Sequence, residues 1–581
     1  MTMIYIRKIK SWVPGNPHAV SVFSVLIFIT TFMVYALLNT ELFYSQFSRI
    51  LFILSQEYFL EFIKKPGGLL EYAGNLITQT YYSGISGAFV LSIFTVLPIF
   101  IFSGIRRWFP KRSCLPLILA PSAILFLSQL SYAHFAHYSL GYIISISFFL
   151  FSVSESIKKR GLLILATVPA AFLLTGSFAL VYTGMLIVYF LVMKNGKSRW
   201  IISLLILIYI FVLYFVFYRI VYIQPFSLVV LSPLIENELP FPLIILACYT
   251  IMFPLIFKYS LPGGEYSGKL PSVILLTALA YGLVTVALNS DQTKMTRMER
   301  WIAAGNWDAI IDQHEKSPAA GPTGEYYYNL ALANRGLLCE RLFVTARSYG
   351  NESLILTRKK ENLEKAVYFY YSAGLINEAH HLAYEAMVNY GYTPEILKYL
   401  IKTNLIQGNY RIAEKNIKIL SKTFHFKSEA SEYKKFLDDH SKIKSDSELG
   451  EKLKLLPKVD FFIRNDDNQN LELFLKSNPV NRIALEYKIA ALLLNRDLET
   501  LIFEVKKLKD ASFESIPVHI EEAILMYIKL NGALPDTDFP EVRSETRMRF
   551  IQYTKDADDI KTDALLRDKW RKTFWYYYDL E

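Results

Sequence analysis

Up to about Asn289, apolar residues come in charge-free blocks of roughly 17–22, the length that crosses about 30 Å of hydrocarbon. From Met295 to Glu581 the pattern becomes polar, amphipathic and helical. The predicted fold is all-α: a multi-pass helical membrane domain over 1–290, then a tetratricopeptide-like α-solenoid over 291–581. Candidate spans are roughly 20–38, 84–104, 114–131, 138–155, 161–176, 178–193, 200–222, 241–257 and 270–288, about nine in all. The apolar run 161–193 is too long for one upright helix, and Thr175-Gly176-Ser177 offers a turn within it.

Loop charge orients these spans. Basic residues occupy every second connection: Arg7, Lys8 and Lys10; Arg106, Arg107, Lys111 and Arg112; Lys158, Lys159 and Arg160; Lys194, Lys197 and Arg199; Lys258 and Lys269. The connections 132–137 and 223–239 carry none. By the positive-inside rule the basic loops and the N-terminus are cytoplasmic. With nine spans the C-terminal half is then periplasmic, on a protein of the bacterial inner membrane. The N-terminal basic residues precede an apolar run with no small-residue cleavage site, so Ser21–Leu38 reads as an uncleaved span.

Composition agrees: 53% of residues are hydrophobic and 15% aromatic. The net charge of +10 sits largely in the short loops, so a nucleic-acid partner is a poor reading and the lipid bilayer the expected one. Cys339 is the only cysteine of the C-terminal half, which is therefore held by packing rather than disulfides. The spans have almost no ionisable group at depth, which argues against an ion-coupled transporter.

Candidate chemistry lies in the connections lacking that basic pattern. Residues 39–83 form the longest, with apolar stripes through Phe43, Phe47, Ile50, Leu51 and Leu54, and through Tyr58, Phe59, Phe62 and Ile63. Pro66-Gly67-Gly68 then breaks the chain before a second amphipathic stretch to about Tyr82. Such helices lie in the membrane interface. Glu41, Glu57 and Glu61 in this loop are either the catalytic carboxylates or the solvated faces of interfacial helices. His134 and His137 share another connection and are candidate substrate ligands, with interfacial histidines beside tyrosines as the alternative. Arg219 meets a lipid phosphate or snorkels to the headgroups. Glu236 and Glu238 are further loop acids. No metal site, Gly-rich phosphate loop, Ser/His/Asp pattern or paired-Cys zinc spacing is predicted, and no cofactor is assigned.

An outer loop of interfacial helices after the first span, with an acid just beyond it, resembles the lipid-donor glycosyltransferases of the GT-C superfamily. The resemblance covers at most residues 20–290 and implies a sugar donor on a polyprenyl phosphate, with a loop carboxylate as general base or metal ligand. Glu41 is the positional match, followed by Glu57 and Glu61; the adjacent acid pair common in that superfamily is missing here.

In the C-terminal half, Ala303-Ala304-Gly305-Asn306-Trp307-Asp308-Ala309, Ser372-Ala373-Gly374-Leu375-Ile376-Asn377-Glu378-Ala379 and Ile406-Gln407-Gly408-Asn409-Tyr410-Arg411-Ile412-Ala413 share one form. Gly374 and Gly408 are 34 residues apart, the tetratricopeptide period. Gly closes the first helix and Ala lets the pair approach. Leu494-Asn495-Arg496-Asp497 reads as a degenerate later copy, and 421–455 as a solvated interruption. The solenoid is expected to bind a protein partner or acceptor. Trp570 to Tyr578 is a dense aromatic cluster, either a ligand platform or a C-terminal cap.

The whole chain also resembles an uncharacterised family of Bacteroides-type polytopic membrane proteins with tetratricopeptide-like C-terminal regions. The matching stretches are Pro66-Gly67-Gly68-Leu69-Leu70-Glu71-Tyr72-Ala73-Gly74, Asn478-Pro479-Val480-Asn481-Arg482-Ile483-Ala484-Leu485-Glu486-Tyr487, Ile516-Pro517-Val518-His519-Ile520-Glu521-Glu522-Ala523 and Phe574-Trp575-Tyr576-Tyr577-Tyr578. That resemblance implies the architecture and no activity. Two readings of function stand: a glycosyltransferase-like membrane enzyme, and a non-enzymatic scaffold for envelope assembly.

Overall fold

The computed structural model describes residues 17–105, 115–154, 157–193, 196–234, 239–259, 270–345, 349–458, 467–508, 513, 515–535, 541–559 and 563–580. Arg7, Lys8, Lys10, the basic cluster 106–112, Lys194, Glu236, Glu238 and Lys269 lie outside the described residues. Every regular element among the described residues is helical, as the pattern predicts. The chain groups into two compact units: Met1–Thr293 with Lys422–His425, and Lys294–Ser421 with Phe426–Glu581.

The first unit opens with α1 (Pro17–Met33), which a π turn continues to Leu38. Three short helices fill the first long connection: α2 (Thr40–Ser48), α3 (Gln56–Ile63) and α4 (Gly68–Thr78). Then follow α5 (Gly84–Ile105), α6 (Leu115–Gln129), α7 (Ala136–Ser154), α8 (Ile157–Thr175), α9 (Ala179–Met193), α10 (Ser198–Val216), α11 (Phe226–Leu231), α12 (Phe241–Tyr259) and α13 (Leu270–Leu288).

Among the described residues six stretches are long and apolar enough to cross a membrane: Val20–Leu38, Gly84–Gly104, Ala136–Val153, Gly161–Met193, Ser198–Val221 and Phe241–Tyr259. Six replaces the expected nine among the described residues. Leu115–Gln129 and Thr277–Val286 are apolar but shorter, and Gly161–Met193 is one 33-residue apolar stretch.

Within Gly161–Met193 the chain reverses at the 3₁₀ turn Gly176–Phe178, where the sequence places its turn. Thr167 Oγ1 and the Tyr182 hydroxyl are hydrogen-bonded at 2.7 Å. Fifteen residues of straight helix would set them about 22 Å apart. Ser152 completes this buried hydroxyl cluster at 2.6 Å from Tyr182, tying α7, α8 and α9 together. Hydroxyls on facing helices serve this role where no water competes.

Hydrogen bonds also assign the connections to ends of the first unit. Gln46 Nε2 donates to the His134 carbonyl at 2.8 Å, the Ser177 N–H to the Ser232 carbonyl at 2.8 Å, and the Ser232 hydroxyl to the Pro66 carbonyl at 2.8 Å. Tyr132 and Thr293 hydroxyls meet at 3.1 Å. The connections 39–83, 131–135, 176–178 and 222–234 therefore gather at one end, with Thr293 beside them. At the other end Lys258 Nζ bonds the Val192 carbonyl, and Gly104 packs against Leu150.

The second unit starts with α14 (Ser290–Ala303), whose first residues belong to the first unit, α15 (Trp307–Lys316) and α16 (Pro322–Arg335). It continues through α17 (Leu338–Arg341), α18 (Leu363–Ala373), α19 (Ile376–Tyr390), α20 (Pro394–Ile406), α21 (Tyr410–Ser421) and α22 (Lys427–Asp438). Gly305, Gly374 and Gly408 all take positive φ, at 66°, 88° and 78°. In each case the next residue's N–H bonds a carbonyl five residues back: Asn306 to Trp301, Leu375 to Tyr370 and Asn409 to Asn404. This is the Schellman closure, which a residue with no Cβ adopts freely. Gly336 and Arg496 close helices with the same bonds, Leu337 to Leu332 and Asp497 to Leu492. Ala379 and Ala413 are wholly buried, as a tight helix contact requires, whereas Ala309 is partly exposed.

The aromatic tail packs inward. Phe574 and Trp575 are fully buried. The Phe574 N–H donates to the Glu522 carboxylate, and Trp575 Nε1 to the Glu522 carbonyl, each at 2.8 Å. Tyr577 closes on the Leu494 carbonyl at 2.7 Å.

Candidate functional site

The end where 39–83, 131–135, 176–178 and 222–234 meet is the candidate site. α2 follows the first membrane stretch with only Asn39 between, and lies against the start of α5. Two glycines allow that approach. A Cβ on Gly87 would sit 2.5 Å from Phe43, and one on Gly84 would sit 3.3 Å from Thr40. Phe43 is then enclosed by Tyr35 and Tyr81, with ring centroids at 6.1 and 5.1 Å. Glu41, on the same helix, is buried, at 2% exposed.

Glu57 and Glu61 differ from it: both are exposed on α3. Ser55 caps that helix, accepting from the Tyr58 N–H at 3.2 Å. Glu57 sits in the first turn, and its carboxyl is held below the usual range by a backbone N–H, the Ser55 hydroxyl and Lys422. An acid in that position has a structural reason, since the helix N-terminus favours negative charge. Of the three acids proposed from sequence, the fold buries only Glu41.

Beside α2 runs a buried polar network. Gln129, at the end of α6, accepts from Tyr35 at 2.8 Å and from Thr95 at 2.6 Å, and donates to Ser139 at 2.9 Å. Ser139 and Ser128 flank the His134 ring, each 2.8 Å from one nitrogen. A serine hydroxyl can donate to one nitrogen and accept from the other, so the pair suits a neutral ring. Burial pushes its pKa down to about 3, with His137 adding to the effect. Both positions that a metal or substrate would take on His134 are thus filled by hydroxyls. Among the described residues no three His, Cys, Asp or Glu side chains converge as metal ligands.

His137 stands at the junction itself. Its Cβ packs so tightly on α4 that a Cβ on Gly74 would approach within 2.4 Å. The ring stacks on Phe135 at 5.6 Å, hydrogen-bonds the Pro233 backbone and lies near Lys65. Lys65 pairs with Glu71 at 2.6 Å and lies 4.8 Å from the Phe62 ring centre. Arg219 is exposed in the π turn Phe217–Val221, with its guanidinium 5.3 Å from the Tyr218 ring.

Sequence reasoning missed Lys65, Glu71, Gln46 and Gln129 as parts of this arrangement. Pro66-Gly67-Gly68 beside Lys65 was the available signal, since a glycine pair marks a close backbone approach. Gly67 meets the Pro233 ring and Gly176 there. Lys422–His425 clusters with the same connection: His425 stacks on Tyr82 at 4.3 Å and bonds the Gln79 carbonyl at 2.9 Å, and Phe424 stacks on Phe52 at 5.8 Å.

The arrangement offers one buried carboxylate, one cationic amine and a neutral imidazole at one end of an apolar helical unit. A family model described as "Family of unknown function (DUF6057)" matches residues 16–581, and the chain belongs to that family. No curated protein and no solved structure matches the chain.

Proposed function

Starting from membership of a family of unknown function, we propose that the chain is a bacterial inner-membrane glycosyltransferase-like enzyme that uses a polyprenyl-phosphate-linked sugar. The observation that carries this reading is the buried Glu41 on the first helix after the first membrane stretch. In this reading Glu41 is the general base that takes the proton of an acceptor hydroxyl. Lys65 and His137 hold the donor phosphate. The Arg219 guanidinium meets the lipid phosphate at the unit's apolar rim. His134 positions the wall beside Gln46 and Gln129. Glu57 and Glu61 support the loop's charge rather than the chemistry.

The end where the connections 131–135 and 222–234 gather lies opposite Lys258, and Thr293 stands beside it. In this reading the positive-inside rule therefore turns the junction, and the C-terminal unit that follows Thr293, to the periplasm whatever the number of spans. The second unit then serves as a tetratricopeptide-like recruiter of the acceptor or of a protein partner; its repeated Gly closures and buried Ala contacts support that reading.

Replacing Glu41 with Gln tests the enzyme reading. Surface glycan should be lost at unchanged expression, with E57Q and E61Q close to wild type. A glycan profile unchanged in all three would favour the other reading, a membrane-anchored scaffold for envelope assembly, for which the regular helix pairs of the second unit also argue.

A further inference from the structure

The connection between α10 and α12 does not read as a loop in water. From Ile220 to Leu234 it contains no charged residue. Aqueous loops are built from Gly, Asn, Asp, Ser and Pro, whereas this one is dominated by Ile, Val, Leu and Phe. Its local structure is unusual as well. Ile223 takes φ 50°, a left-handed conformation that a β-branched residue rarely adopts. It does so while 80% exposed, so no packing around its side chain explains the choice.

One side of the segment is fixed to the protein. Val229 is fully buried, and Ser232 locks the end of α11 to Ser177 and Pro66. The other side presents Ile220, Val221, Ile223, Phe226, Leu228 and Leu231, all exposed. That apolar side continues the outward face of α10, where Phe211, Val212 and Phe215 are also exposed on a helix long enough to cross a membrane. The one cation at the transition, Arg219, has a stem long enough to reach headgroups while its neighbours stay in hydrocarbon.

We propose that Ile220–Leu231 is a membrane-inserted anchor whose occupant is the acyl-chain region of the bilayer, and that it holds the Gly67–Gly176–Ser232 junction at the lipid surface. A short helix with one apolar side and its termini tied to protein suits the headgroup–acyl boundary. Continuity with the face of α10 favours lipid over a second copy of the chain. The anchor would exist whether or not Glu41 is catalytic.

The unaltered full-length protein can test this. It is reconstituted in vesicles of phosphatidylethanolamine and phosphatidylglycerol doped with a phospholipid carrying a diazirine on its acyl chain. After photolysis, adducts are mapped by mass spectrometry. Adducts on Ile220, Ile223, Phe226 or Leu228 should appear at yields comparable with Phe211 and Phe215. Adducts on Phe211 and Phe215 with none from Ile220 to Leu231 would overturn the proposal.

Discussion

A Cβ placed on Gly67 would lie 3.1 Å from the Cα of Gly176, and one placed on Gly176 would lie 3.1 Å from the Cα of Gly67. Two connections more than a hundred residues apart in sequence thus touch backbone to backbone. At Gly176 an added Cβ would also come within 2.2 Å of the Ser232 carbonyl, and its φ is already +59°. Gly176→Ala should therefore cost about 2–4 kcal/mol through strain and overpacking together. Gly196→Ala provides the control: φ is +71° but the Cβ meets open space, so the cost should stay near 1 kcal/mol. Thermal unfolding of the detergent-solubilised chain compares the two.

Gln129 joins Tyr35, Thr95 and Ser139, and all four side chains are wholly buried. Gln129→Leu removes the shared partner and takes the acceptor from the buried Tyr35 hydroxyl, while Thr95 keeps the Leu91 carbonyl and Ser139 keeps His134. The expected loss is about 2–3 kcal/mol, read as a lower unfolding temperature, because each orphaned buried group costs about 1–3 kcal/mol. The bond from the Gln46 side-chain amide to the His134 carbonyl should persist, so expression and membrane insertion should be retained.

Parts of this architecture were legible from sequence. Segments apolar on every side announce membrane helices without reference to partners, and Thr175-Gly176-Ser177 announced the reversal that Thr167 and Tyr182 display. The expected count of nine exceeds the six long apolar stretches among the described residues in part because the expectation divides 161–193 in two. The closures at Gly305, Gly374 and Gly408 were readable because glycine is the residue that left-handed closure favours. Arg496 adopts the same closure without that signature, and Gly336 lacks the surrounding pattern. The burial of Glu41 was not legible, since it depends on tertiary packing that the spacing of the acids along 39–83 does not carry. The role of His134 was hidden for the same reason: its two hydroxyl partners come from different helices.

Glu364 should give the second unit a pH dependence. Burial pushes its carboxyl up to about 7; Glu299 and Glu395 raise it further while the Thr393 hydroxyl and Lys365 oppose them. A raised carboxylate pKa means that the folded chain holds a proton the unfolded chain has released. Stability from this group is full below about pH 4.5 and falls as pH rises through about 7, by on the order of 3 kcal/mol. Glu364→Gln should flatten that slope and be more stable than wild type at pH 8. Unfolding temperatures measured from pH 5 to pH 8 decide it.

Glu522 organises the C-terminal packing. Its carboxylate bonds His519 at 2.9 Å and the Phe574 N–H at 2.8 Å, and all three residues are buried. Glu522→Ala leaves the imidazole and the N–H without their acceptor and should cost about 3 kcal/mol or more. Loss of the tail's packing should appear as earlier exposure of Trp570 and Trp575 in a fluorescence melt. A Glu522→Gln variant should recover part of the loss, because its side-chain carbonyl can still accept.

The enzyme reading makes its most direct commitment at the lipid. Native mass spectrometry of the full-length protein, purified gently from its own membranes, should find a polyprenyl-phosphate-linked sugar bound. That lipid should remain on Glu41→Gln, which loses the base but not the phosphate site, and should be depleted on Lys65→Ala. Finding only bulk phospholipid on wild type and Glu41→Gln alike would contradict the account.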